Sequence, residues 1–146
     1  LTFRELPVLL DVMARVAAQG RLAPLVLVDG TGILHPRRAG IAANFGVVTG
    51  IPTIGVSKKL LCGQFELEGL TPESPRPVTY KGEMLGTAVK ATERSRPVFV
   101  SPGNRITVED AARIARLLFH GHRLPEPIYW ADRLSREAAR DRGSTC

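Results

Sequence analysis

Leu25-Val26-Leu27-Val28-Asp29-Gly30-Thr31-Gly32 is the stretch that decides the fold. Four apolar residues in a row after Pro24 suit a strand buried on both faces, as the strands of a parallel sheet are. The run stops at a carboxylate and two glycines. In open α/β sheets, ligand sites gather at the carboxyl ends of strands. A carboxylate there is held rigidly, and glycines let a substrate backbone come close. Asp-Gly is equally a common turn pair. These residues alone therefore leave Asp29 as either a turn residue or a site carboxylate.

Upstream, Thr2-Phe3-Arg4-Glu5 reads as a capping box, with Thr2 as N-cap and Glu5 at N3, a role sufficient by itself to explain Glu5. Leu9, Leu10, Met13, Val16 and Ala17 recur at helical spacing, and Gly20 reads as the stop. The chain begins at Leu1 and opens almost directly into this helix, so it is expected to be part of something longer.

Downstream, a polar basic loop spans His35 to Arg38, a helix is expected from Gly40 to about Val48, and a strand from Thr53 to Val56. Strand, helix, strand with short connections predicts a right-handed crossover and parallel strands. Residues 66–82 are rich in Pro, Glu and Gly and read as an irregular connection. Lys81-Gly82-Glu83 suits a hairpin turn between Pro77–Tyr80 and Met84–Ala91. A further strand is expected over Pro97 to Ser101. A helix capped at Thr107 should reach about His120, and a last helix should begin at Pro127 and run to Arg140, with Tyr129 and Trp130 as packing residues.

The 146 residues argue for a single domain, 1–146, of the α/β class. Twenty basic against fourteen acidic residues leave a net charge of +6, which attracts polyanions without naming one. Cys62 and Cys146 match no zinc spacing and suggest no disulfide framework, which points to a reduced, cytoplasmic compartment. No apolar run has the length of a membrane span.

The ends of neighbouring parallel strands face one crevice, so Asp29 and the Lys58-Lys59 pair are expected to share a site. His35, Arg37 and Arg38 are either phosphate contacts or a solvated loop. Ser101-Pro102-Gly103-Asn104-Arg105 ends a third strand in the same manner, either as a turn before the Thr107 cap or with Asn104 and Arg105 holding water or phosphate. Carboxylate, Lys, His and Arg without a Ser or Cys triad suit metal-assisted attack of water on a phosphodiester. One carboxylate is too few, and a second is needed close by.

Val28-Asp29-Gly30-Thr31-Gly32-Ile33-Leu34-His35-Pro36-Arg37 closely resembles the motif of the endonuclease V family of deoxyinosine-specific nucleases. Phe3-Arg4-Glu5, Gly40-Ile41-Ala42, Ile51-Pro52-Thr53-Ile54-Gly55-Val56 with Lys58, Phe99-Val100-Ser101-Pro102-Gly103 and Leu124-Pro125-Glu126-Pro127 match in order, over essentially the whole chain. The resemblance implies a ribonuclease-H-like mixed sheet flanked by helices. It implies Asp29 as a Mg²⁺ ligand (Mn²⁺ substituting), Glu5 as an active-site carboxylate, Lys58 as the lysine near the scissile phosphate and His35 as part of the lining beside the lesion. Leu1, Gly30, Gly40, Ile41, Gly55 and Leu61 match positions that shape the pocket for a flipped hypoxanthine. Arg37, Arg38, Lys59 and Arg105 are assigned to backbone phosphates.

Two departures stand out. The family's metal-binding Asp on its first strand, its Pro-Tyr-x-Pro wedge and its three leading strands are not in this chain. Where the family has His after Ser-Pro-Gly, the chain has Asn104, which can ligate metal through its carbonyl oxygen but cannot carry a proton as imidazole does. The expected function is a Mg²⁺-dependent, monomeric endonuclease that cuts the second phosphodiester 3′ to deoxyinosine in DNA, in repair of deaminated bases. Inosine in RNA, or inosine binding without cutting, are the alternatives.

Overall fold

The protein is described by a computed structural model covering residues 2–144. The elements are α1 (Thr2–Ala18), β1 (Val26–Asp29), α2 (Ile41–Thr49), β2 (Thr53–Ser57), β3 (Arg76–Tyr80), β4 (Glu83–Val89), β5 (Val98–Asn104), α3 (Val108–Leu117) and α4 (Glu126–Ser144). They form one five-stranded sheet in the order β1-β2-β5-β4-β3. β1 and β2 are parallel, joined through α2 as the sequence predicts, and the remaining pairs are antiparallel.

Alternation along β1 splits the core between the two faces of the sheet. Val28 packs with Ile41, Ala42 and Phe45 of α2, under Leu9 and Met13 of α1. Leu27 points the other way, towards Ile54, Val56, Val98 and Val100, which α3 and α4 cover with Ala111, Ala115 and Ile128. A third cluster at the β3–β4 end gathers Leu34, Val78, Leu85 and Phe99. The hairpin turn falls at Lys81-Gly82, both at positive φ (52° and 81°), the conformation that a two-residue connection between twisted strands requires.

Several expectations are corrected. Of the β1 apolar residues only Val28 is buried, because β1 is an edge of the described sheet and a largely apolar groove of about 470 Å³ opens beside it between α1 and α4. α3 stops at Leu117 rather than near His120, where Leu118 and Phe119 donate to Ala115 and Arg116 in a tightened last turn. Thr2 lies inside α1 and its side chain is outside the described residues, whereas Thr107 caps α3 as expected, its hydroxyl accepting from the Asp110 N–H at 3.1 Å. Trp130 is not a packing residue. It is 47% exposed, donates to Glu126 Oε2 at 2.6 Å and lies beneath the Arg133 guanidinium. No helix among the described residues is long and apolar enough to cross a membrane.

Candidate active site

β1 ends in Asp29, and the chain then folds back over β2 and β5. The Gly30 N–H continues the ladder to the Val56 carbonyl at 2.9 Å. Gly32 donates to Ser101 Oγ at 2.9 Å and Ile33 to the Pro102 carbonyl at 2.8 Å, while the Thr31 carbonyl receives the Ala42 N–H at 3.0 Å. The loop therefore lies flat on the sheet, and the space beneath it explains Gly55. A Cβ there would come within 2.7 Å of the Gly30 carbonyl oxygen and closer still to Gly32 N. Gly40 is equally confined, against Thr31.

Above this floor lies a cleft of about 420 Å³, whose walls include Glu5 of α1, Asp29, Gly30, His35, Gly40, Ile41, Lys59 and Leu61. The two carboxylates, one from a helix and one from a strand end, thus face one space. Burial pushes the Asp29 carboxyl above the usual range, the Lys58 ammonium opposes that shift, and Asp132 on α4 adds to it. Among the described residues no group of three or more His, Cys, Asp or Glu converges as a metal-ligand set.

His35 is held by its own turn. Its Nδ1 accepts the Arg37 N–H at 3.0 Å and its carbonyl the Arg38 N–H at 2.9 Å. A neutral ring accepting at Nδ1 carries its proton on Nε2, so the free end of this imidazole is a donor. Lys58 does not line the cleft, but its charge reaches Asp29, and its carbonyl accepts from Arg123 at 3.2 Å. The same guanidinium donates to the Pro97 carbonyl at 3.0 Å and the Arg96 carbonyl at 3.2 Å, tying the end of β2 to the start of β5.

Not every expected residue is gathered here. Gly55 forms the floor rather than the wall. Arg38 is engaged with Glu83 at 2.6 Å, and Arg37 is exposed. β5 runs antiparallel to β2 and pairs Asn104 with Thr53, so Asn104 and Arg105 lie at the opposite end of the sheet from Asp29, correcting the expectation that β5 ends in the same crevice. The Asn104 amide donates to the carbonyls of Gly46 at 2.9 Å and Ile51 at 3.2 Å. Leu1 lies outside the described residues. Conversely, Asp132 and Arg123 were not anticipated. Asp132 falls four positions after the buried Ile128, the i,i+4 spacing that puts two residues on one helix face. That inward carboxylate was the readable signal.

A mixed sheet with carboxylates facing a cleft at a strand end, helices on both faces, is the ribonuclease-H-like arrangement, and the solved structures that superpose on it are endonuclease V structures. A profile of the endonuclease V family matches residues 1–133, and the chain belongs to that family. It is 45% identical to endonuclease V of Azotobacter vinelandii over 139 residues, 95% of this chain and 62% of that protein. The catalytic domain of human endonuclease V superposes with a TM-score of 0.90 at 34% identity, covering 99% of this chain and 64% of that one. Endonuclease V of Ciona intestinalis, in complex with a 24mer DNA containing an inosine followed by a ribo-adenosine, gives 0.82 at 29% identity, with 97% and 66% covered. The chain therefore spans just under two thirds of the length of the Azotobacter protein and of the human catalytic domain.

Proposed function

We propose that this chain carries most of the active site of a Mg²⁺-dependent endonuclease that hydrolyses the second phosphodiester 3′ to inosine, leaving 3′-hydroxyl and 5′-phosphate ends, and that it serves repair of deaminated DNA. The observation that carries the reading is the convergence of Glu5, Asp29 and His35 on one cleft, with Lys58 electrostatically coupled to Asp29, in a chain matched by the family profile over residues 1–133.

The donors fit a hard divalent cation in kind, since they are carboxylate oxygens on one cleft and Asp29 is partly desolvated beside the charge of Asp132. Bound there, Mg²⁺ supplies charge compensation for the phosphate and lowers the pKa of a bound water. The chain's own side chains do the rest. Asp29 and Glu5 offer the oxygens that hold the ion. Lys58 neutralises charge that develops on the phosphate. His35 offers its Nε2 proton to a phosphate oxygen. Gly30, Gly40, Ile41 and Leu61 leave room for a base turned out of the stack, read by backbone groups along its edge. Lys59 and Arg37 hold flanking phosphates.

The test is a nicking assay on end-labelled duplexes with a single deoxyinosine, using the protein in its natural length, with Mg²⁺ and with EDTA, beside matched RNA. A single Mg²⁺-dependent nick just 3′ of inosine in DNA is the expected result. Cutting of RNA alone reassigns the substrate. Binding without cutting in either identifies an inosine reader.

A further inference from the structure

A second concave site lies away from the cleft, at the same end of the sheet. It is an open pocket of about 430 Å³ lined by Lys90, Arg113 and Arg116, with Pro72, Leu117 and Phe119 as its apolar part. Its place follows from the strand register. Val89 pairs with Val98 in β5, and Ser57 pairs with Phe99, so Lys90 leaves β4 level with Pro97 and Lys59. α3 starts beyond Asn104 and runs back, which brings Arg113 and Arg116 to the edge that carries Asp29.

Two of the three cations are held in place by backbone carbonyls rather than by carboxylates. Arg116 donates to the Pro72 carbonyl at 3.0 Å and Lys90 to the Glu93 carbonyl at 3.4 Å. Arg113 pairs with Asp110 at 3.2 Å, an exposed contact with side chains 64% and 53% accessible, of the kind that is screened by salt and readily exchanged. Between this pocket and the cleft, the sheet end carries Arg96, Arg123 and Lys58, bound together through backbone carbonyls. A rim of positive charge thus joins the two concavities in a chain of net charge +6.

We infer that the Lys90–Arg113–Arg116 pocket holds the sugar-phosphate backbone of the substrate's flanking duplex, at a distance from the cut. The inference rests on the proposed endonuclease reading and adds the length of nucleic acid that the protein engages. β4 is three strands from β1 in the sheet, about 14 Å at the usual strand spacing. That is about four nucleotide steps along one strand of a duplex. The pocket is shallow and open, so it suits successive phosphates of a polymer better than one enclosed anion.

The experiment compares wild type with K90Q/R113Q/R116Q by fluorescence anisotropy and by nicking. The duplexes carry one deoxyinosine, with both arms long or with either arm cut to about two base pairs beyond the inosine. Circular dichroism melts confirm that the variant folds. With long arms the variant should bind about tenfold or more weakly, and the slope of log K against log salt should fall by about two to three. Truncating one particular arm should make wild type and variant equal, and truncating the other should not. Equal binding and salt slope on the long duplex overturn the inference. An equal loss on all three duplexes does so as well, since it would mark general charge rather than a place. A wild type that binds with this arm dependence yet cuts nothing leaves the pocket standing and removes the endonuclease reading.

Discussion

The two ends of the sheet are built from the same three strands and in opposite ways. At one end Asp29 and Ser57 open onto a cleft, with a partly desolvated carboxylate, a second one on α1 and cations around them. At the other, Thr53 and Asn104 face each other and close the structure. The Thr53 hydroxyl is buried and donates to the Ala42 carbonyl at 2.7 Å, and the Asn104 amide bridges Gly46 and Ile51. Gly46 and Gly103 leave no room there, because a Cβ on Gly103 would come within 2.7 Å of the Ala42 carbonyl oxygen. Polar groups at the closed end are consumed by the fold. Those at the open end are left under-compensated, which costs stability and is what a site for charge requires.

Asp29 should separate the two ends most sharply. Replacing Asp29 with Asn should lower nicking by about a thousandfold or more, since several kcal/mol of charge stabilisation at about 1.4 kcal/mol per tenfold is removed. The same change should raise the melting temperature. Folding raises the Asp29 pKa, chiefly by burial. A group of that kind favours the folded state while protonated and ceases to do so as pH rises through its folded value. Above the ordinary carboxylate range of about 4, the Asn variant should therefore melt higher in the metal-free protein. Near pH 3 the two should coincide. Calorimetry at both pH values checks this, and a variant less stable at pH 7 would place Asp29 with the closed end.

The open end was legible in the sequence where a strand announced itself. An apolar run ending in Asp-Gly put Asp29 at a strand end, whereas Gly32, read as room for a substrate backbone, packs against this chain's own β5, where a Cβ would come within 2.9 Å of Ser101 Oγ. The β1-α2-β2 crossover and the Lys81-Gly82 turn followed from the same local rules. What failed was direction. Nothing in Phe99-Val100-Ser101-Pro102-Gly103-Asn104 says whether the strand runs with β2 or against it, because that depends on where the long 58–97 segment returns. Asn104 was therefore left open between a turn before the Thr107 cap and a ligand in the crevice. Asp132 was missed for a different reason. Its spacing from Ile128 was a signal the sequence carried, but nothing in the sequence says that α4 packs on β1.

His35 tests how fixed the open end is. With Nδ1 occupied by the Arg37 N–H, the ring should act as a donor at Nε2. Gln places its amide near the Nε2 position, while Asn places one near Nδ1. His35→Gln should accordingly keep activity within a few-fold. His35→Asn should lose about tenfold in kcat/KM, the worth of one hydrogen bond to a charged group. Steady-state nicking of the two variants decides it. Loss in Gln with retention in Asn would mean that the ring works through Nδ1, and that its turn opens on binding.

The smallest expected effect on activity is at Asn104, and it is the one that keeps the comparison honest in both directions. Asn104→Ala removes two hydrogen bonds and leaves the Ile51 carbonyl short of a donor, while the Gly46 carbonyl keeps the Gly50 N–H, a loss of about 1–3 kcal/mol. In a chain of this size that lowers the melting temperature by about 3–10 °C. Nicking measured well below the transition should be unchanged, because Thr53 and Asn104 lie across the length of β2 from Ser57. If Asn104→Ala instead cuts at a greatly reduced rate while melting like wild type, the closed end takes part in the chemistry. The antiparallel placement of β5 would then have to be abandoned, for no side chain at that end of β2 reaches Asp29.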